Sequence, residues 1–271
     1  VTQDSDMPNS TEAAHTEAWD ALNAELDQWQ AQGHIATFWW RDDDASRPGP
    51  QLSRLLSLSA KTGTPVVLAS IPATADVAFA DTVLAHPTAY VAQHGYAHIN
   101  HAKGSGDKGA WELGRHRPLE TVLDELQQGR RGLSDLFGPD RFLPVMVPPW
   151  NRIDPSVVAE LPALGYTALS LCDARPAAEA APGLRLVNSH CDPIKWKGGA
   201  RFTGTAKSIS FLTDHLIARR TGSADAAEPT GLLTHHIDHD AATWDFCETL
   251  LGHLTAHPAV RFPAPSEVFA S

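Results

Sequence analysis

Thr88–His101, TAYVAQHGYAHINH, is the stretch whose reading decides the fold. Its apolar half, Ala89–Gln93, has the length of a short buried strand. It ends in His94 and His98, four residues apart, with His101 beyond them. Imidazole is the commonest side-chain metal ligand. Two imidazoles at this spacing can reach one ion from a helical turn or a tight loop. Two other apolar runs end in the same manner. Ile35–Trp40 runs into Arg41-Asp42-Asp43-Asp44, and Gly231–Thr234 runs into His235, His236, Asp238, His239 and Asp240.

The remaining segments alternate between strand and helix patterns. Helical spacing of Trp19, Leu22, Leu26 and Trp29 predicts a helix over Glu17–Gln32 that stops at Gly33, preceded by a mobile tail over residues 1–14. Strands are expected at Pro65–Ser70, Phe142–Val147, Thr167–Leu171, Leu184–His190 and Val260–Phe262. Helices are expected around Leu52–Leu56, Asp76–Ala85, Leu119–Leu136, Ile209–Leu216 and Trp244–Leu254, and another begins at Asp154-Pro155. Two long loops read as His101–Arg117, rich in glycine and charge, and Arg175–Pro182, rich in alanine and proline. No linker divides residues 15–271, so they form a single domain. About seven or eight strands alternating with helices imply an α/β fold with a parallel sheet, closed or nearly closed into a (β/α) barrel. An open doubly wound sheet is the second architecture, and neither a dinucleotide fingerprint nor a phosphate loop supports it.

Composition narrows the class. The chain of 271 residues is 42% hydrophobic and 20% charged, as expected of a globular protein. Its net charge of -11 argues against nucleic acid or an anionic membrane as partner. No apolar run is long enough to span a bilayer. The first ten residues lack the basic and apolar parts of a signal peptide, and Cys172, Cys191 and Cys247 suggest neither a disulfide framework nor a zinc ribbon. Reduced, buried thiols favour the cytoplasm.

The polar clusters share one place. Asp42–Asp44, His94 with His98, Pro148–Arg152, Asp192 with Trp196, and His235–Asp240 all follow the C-terminal ends of expected strands. In a parallel barrel these ends open on one face, where active sites form. Each cluster also has an ordinary reading, such as an acidic turn capping a helix or a tryptophan packed in the core. Their common placement favours a site.

These residues resemble the polysaccharide deacetylase family, the NodB-like members of carbohydrate esterase family 4. Asp43-Asp44 resembles the family's aspartate pair, with Ala45 where glycine is usual. His94 and His98 match its His-x-x-x-His motif, with Gly95 where serine or threonine is usual. Pro148-Pro149-Trp150 resembles its proline-aromatic motif, Asp192 with Trp196 its later Asp and Trp motif, and Leu233-Thr234-His235 its final Leu-x-His. The likeness runs from about Phe38 to about Asp240 and implies a distorted, NodB-like barrel.

The resemblance implies a hydrolase that deacetylates an N-acetylated or O-acetylated sugar or a related amide. Asp44, His94 and His98 would hold a divalent metal; zinc suits that donor set, and other first-row metals remain open. Asp43 would be the base, the backbone N–H of Trp150 an oxyanion donor, His235 the acid, and Asp192 its orienting partner. Trp196, Pro149 and Asn151 would meet the substrate. The alternative is a weak or inactive protein that binds metal or carbohydrate on the same fold. Two registers stay open: Asp42 with Asp43 in place of Asp43 with Asp44, and His236 in place of His235. The family's arginine before the prolines is Val147 here, and Arg41 or Arg152 is expected to supply that charge.

Overall fold

Residues 10–270 are described by this computed structural model, beginning with helix α1 (Ser10–Ala31). Of the tail expected over 1–14, positions 1–9 lie outside the described residues and 10–14 are helical. Leu22, Leu26 and Trp29 are buried on the core side of α1, which nucleates the helix, and Glu12 suits its N-terminal dipole.

The strands are β1 (Ala36–Ala45), β2 (Val66–Ser70), β3 (Ala89–His94), β4 (Phe142–Val147), β5 (Ala168–Leu169), β6 (Glu179–Ala181), β7 (Leu184–Leu186), β8 (Ile194–Lys195), β9 (Arg201–Phe202), β10 (Thr230–Thr234) and β11 (Val260–Arg261). The later helices are α2 (Pro50–Thr62), α3 (Val77–Leu84), α4 (Leu119–Phe137), α5 (Pro155–Glu160), α6 (Thr205–Thr221), α7 (Ala241–Ala256) and α8 (Pro265–Val268). Side-chain caps set several starts: Asp76, Asp154 and Asp240 accept from Phe79, Ser156 and Thr243 N–H at 2.8, 2.9 and 2.7 Å.

The main sheet runs β10-β1-β2-β3-β4-β5-β7, every neighbour parallel. It closes without a further strand pair. The chain leaving β7 crosses to β10, where Cys191 bridges Leu232 and Leu233 N–H donates to the Cys191 carbonyl at 2.8 Å. The result is a distorted barrel. Its interior holds Trp39, Val67, Ala69, Ala92, Val145, Val147 and Val187, with Val268 and Phe269 of the last helical turn packed among them. Phe38, Trp40 and Leu68 face the helices instead, as the two-residue period of a strand requires. Among the described residues no helix is long and apolar enough to cross a membrane.

Two local expectations change. Arg175–Pro182 is not simply a surface loop. Glu179–Ala181 pairs antiparallel with β7, and Arg175 is buried, donating to the Leu186 carbonyl at 2.7 Å and pairing with Asp225. A small hairpin, β8 with β9, stands beside the barrel mouth where no strand was expected. Helix α4 runs through Gly129 unbroken. A Cβ there would lie 2.6 Å from Gln93 Nε2, so the glycine admits the side chain that anchors β3 against the helix.

A buried carboxylate ties β10 to its surroundings. Glu228 accepts the backbone N–H groups of Arg175 and Asn188 at 2.9 and 3.0 Å, and His190 and His215 face it. Burial works to raise its pKa, but these contacts overcome it and hold the group at about 2. Burial lowers His215 to about 4. The unfolded chain therefore binds a proton that folded His215 excludes, and stability rises with pH across that interval. Thermal melts should show stability lost as pH falls from about 6.5 to about 4, by up to about 3 kcal/mol. His215→Asn should flatten this slope; an unchanged slope would assign it to other groups.

Candidate active site

The last residues of β1 set the geometry. Trp39, Arg41 and Asp43 point into the barrel, while Trp40 and Asp42 point toward the helices. Between Asp42 and Ala45 the pairing with β2 slips: three steps on β1 match two from Leu68 to Ser70. Asp44 sits at this bulge with a left-handed φ of 69°. The bulge breaks the alternation once, so Asp43 and Asp44 line the same pocket.

The three aspartates consequently differ. Asp42 is fully buried and bonded to Thr234 Oγ1 at 2.6 Å, to His236 N–H at 3.0 Å and to the His236 ring. These contacts hold it outside the pocket that Asp43 and Asp44 line. His236 is its partner, buried and away from the pocket; His235 is the pocket histidine. Asp43 lies against Arg41, with Nε–Oδ1 at 2.9 Å and Nη2 donating to Oδ2 at 3.1 Å. Both groups are almost wholly buried. Arg41 also donates to Ser170 Oγ and Asn151 Oδ1, each at 2.8 Å, so its planar fork is filled. Arg41 thus supplies the charge that Val147 lacks. Arg152 does not: it donates to the Ala110 carbonyl at 3.2 Å, sits over Trp111, and forms no ion pair among the described residues.

Asp44 Oδ1 stands 3.2 Å from both His94 Nε2 and His98 Nε2. It is buried and has no hydrogen-bond donor. His94 Nδ1 faces the Val147 carbonyl at 2.9 Å, which places hydrogen on Nδ1, so in the neutral ring the lone pair is on Nε2, the atom facing Asp44. A carboxylate oxygen without a donor, facing two imidazole nitrogens, is a donor set that fits a divalent cation. Burial opposes the Asp44 charge, but contact with His94 and the neighbouring His98 outweigh it, and its pKa is lowered. Burial lowers that of His98 and keeps the ring neutral.

His235 lies across the pocket, 4.0 Å from Asp43 through Nε2 and 4.0 Å from Asp192 through Nδ1. Asp192 is held by Ile194 N–H and the Trp196 indole N–H, both at 2.8 Å. Burial raises its pKa despite those bonds and His235. The Trp196 ring meets His235 edge-on at 4.6 Å and stays 46% exposed, leaving a face open to a ligand. Trp150 stacks at a tilt on His98, 4.3 Å between centroids. Trp150 and Asn151 both adopt left-handed φ, near 56° and 53°, a conformation that costs about 1–3 kcal/mol each when not glycine. Asn151 lines the pocket, with its amide oxygen accepting from Arg41, and Pro149 is buried against Gly95 outside the pocket lining. Trp39, Trp40 and Trp244 are core residues. The pocket encloses about 410 Å³.

Some contributors were not singled out from sequence. Cys172 lines the pocket, and Ser170 anchors Arg41. Glu112 is buried beneath the histidine turn. A single glutamate in a charged loop gives no periodic or motif signal.

A second group, His190, His215 and Glu228, also brings possible ligand atoms together. Its hydrogen bonds oppose metal binding. Gly231 N–H donates to His190 Nδ1 at 2.9 Å, so the hydrogen of neutral His190 is on Nε2, the atom facing Glu228. The Glu228 oxygen there already accepts Arg175 N–H.

No family model matches the chain, and no curated protein does. Solved structures do match. A candidate polysaccharide deacetylase from Mycobacterium smegmatis aligns with a TM-score of 0.63 at 15% identity, covering 87% of this chain and 89% of that one. A pseudoenzyme of carbohydrate esterase family 4 from Bacillus anthracis, as a mutant with restored activity, aligns at 0.54 and 14%, over 87% and 68%. The peptidoglycan deacetylase PdaC from Bacillus subtilis aligns at 0.51 and 12%, over 86% and 90%. The fold is thus the NodB-like fold of the polysaccharide deacetylases.

The two arginines give a clean contrast. Arg41→Met should cost about 3–5 kcal/mol, because it leaves Asp43 buried and unpaired. Arg152→Met, which loses one carbonyl contact, should cost about 1 kcal/mol or less. Urea unfolding measures both, and equal losses would contradict the assignment of Arg41 as partner.

Proposed function

We propose that this chain is a metal-dependent hydrolase that removes an acetyl group from an N-acetylated or O-acetylated carbohydrate. The observation that carries the reading is Asp44 Oδ1, buried without a donor and 3.2 Å from two imidazole nitrogens, beside a second carboxylate that is not part of that set. The NodB-like fold supports it, since several proteins that share the fold are described as deacetylases.

Asp44, His94 and His98 would hold the ion. A bound divalent cation would polarise the acyl carbonyl and lower the pKa of water, and zinc and other first-row metals suit these ligands. Asp43 takes the proton from the attacking water. Arg41 pairs with Asp43 and fixes its direction. The backbone N–H of Trp150 donates to the oxyanion, and His235 gives a proton to the leaving nitrogen or oxygen. Asp192 orients His235, and the exposed face of Trp196 receives a sugar ring.

Elemental analysis of the purified protein should find about one divalent ion per chain, lost in Asp44→Ala. Asp43→Asn should keep the ion and lower acetate release from acetylated chitooligosaccharides by about 10²–10⁴-fold. Ion binding without turnover on any acetylated carbohydrate would favour a non-catalytic binding protein. Absence of ion from the metal-loaded wild type would overturn the metal reading.

A further inference from the structure

We infer that Glu112 is the positioning residue of the metal centre, holding the His94–His98 turn in its ligand-bearing shape from the loop that follows it. The inference rests on the metal reading above.

The turn needs an external restraint. Gly95 and His98 both take left-handed φ, 54° and 57°, and His98, unlike glycine, pays for that conformation. Its neighbours' N–H groups converge on one carboxylate. Glu112 accepts from Tyr96 N–H at 3.1 Å and Ala97 N–H at 2.7 Å, with Ile99 N–H at 3.5 Å. The bonds flank His98 on both sides. A carboxylate seated in a nest of backbone donors fixes their direction strongly. Glu112 is 1% exposed and forms no ion pair among the described residues, so these N–H groups are what compensates its charge.

The space around Gly95 belongs to the same device. A Cβ at position 95 would lie 2.0 Å from Glu112 Oε2 and 2.6 Å from Pro149 Cγ. Glycine at this position lets the glutamate reach the turn. The loop carrying Glu112 is itself fastened on both sides. The Trp111 carbonyl accepts His101 N–H at 2.8 Å, and the Leu113 carbonyl accepts Asp154 N–H at 2.9 Å. Leu113 is buried in the core. Movement of this loop would pass through Glu112 to the position of His98.

The test reads the metal site without turnover. Cobalt(II) is titrated into metal-free wild type, Glu112→Ala, Glu112→Gln and the loop control Lys108→Ala, followed by visible absorption. All are kept well below their melting temperatures, with folding checked by circular dichroism. Glu112→Ala should weaken cobalt binding by about 10–100-fold and alter the absorption bands. Glu112→Gln, which keeps the reach and one acceptor, should restore part of both, and Lys108→Ala should match wild type. Wild-type affinity and spectrum in folded Glu112→Gln and Glu112→Ala would overturn the inference and leave the metal reading standing. Failure of metal-free wild type to bind cobalt would overturn the metal reading itself.

Discussion

A strand shows successive side chains to opposite faces, and this site depends on breaking that rule once. Up to Asp43 the alternation of β1 holds, sending Arg41 and Asp43 inward and Asp42 outward. The bulge between Asp42 and Ala45 then returns Asp44 to the inner side. Without the extra residue, adjacent aspartates would lie on opposite faces of the sheet. With it, one carboxylate meets an arginine and the other meets two histidines. The strain at the barrel mouth, at Asp44, His98, Trp150 and Asn151, lies around the same pocket. The regular interior of Trp39, Val67, Val145 and Val187 is the rigid base that sustains it.

Much of the fold was legible because strand length and helical spacing are local properties. β2, β3 and β4 fall close to their expected bounds, and the polar clusters fall at strand ends. The His94 and His98 pair drew its weight from its spacing together with the clusters at other strand ends. The pairing of Arg41 with Asp43 was within reach of the sequence too, because residues two apart on a strand share a face. The bulge was not legible, because nothing in Asp42-Asp43-Asp44-Ala45 states how β2 pairs with it. Barrel closure by Cys191 and Leu232 was hidden for a related reason, since a single bridge leaves no apolar run. The helical beginning of α1 has no apolar stripe before Trp19, so periodicity could not reach Ser10.

Among the described residues two groups bring a pair of histidines against one carboxylate, and hydrogen positions separate them. At His94 a carbonyl takes the Nδ1 hydrogen, so the neutral ring turns the lone pair of Nε2 toward Asp44. At His190 an amide donates to Nδ1, and the hydrogen moves to the atom facing Glu228. The same residue types therefore make a place for a cation in one case and a closed hydrogen-bonded network in the other. Proximity of ligand atoms alone does not distinguish them.

Arg41 lies on the same strand as the aspartate it supports, two residues away, rather than across the barrel. Position 147 is thereby released to carry a valine for the interior, while its carbonyl still orients His94. A search keyed to an arginine before the prolines would discard such a chain for lacking a charge that it carries elsewhere. Sorting active from inactive members of this fold by motif thus requires asking what faces the aspartate in space, because the guanidinium has more than one address from which to reach it.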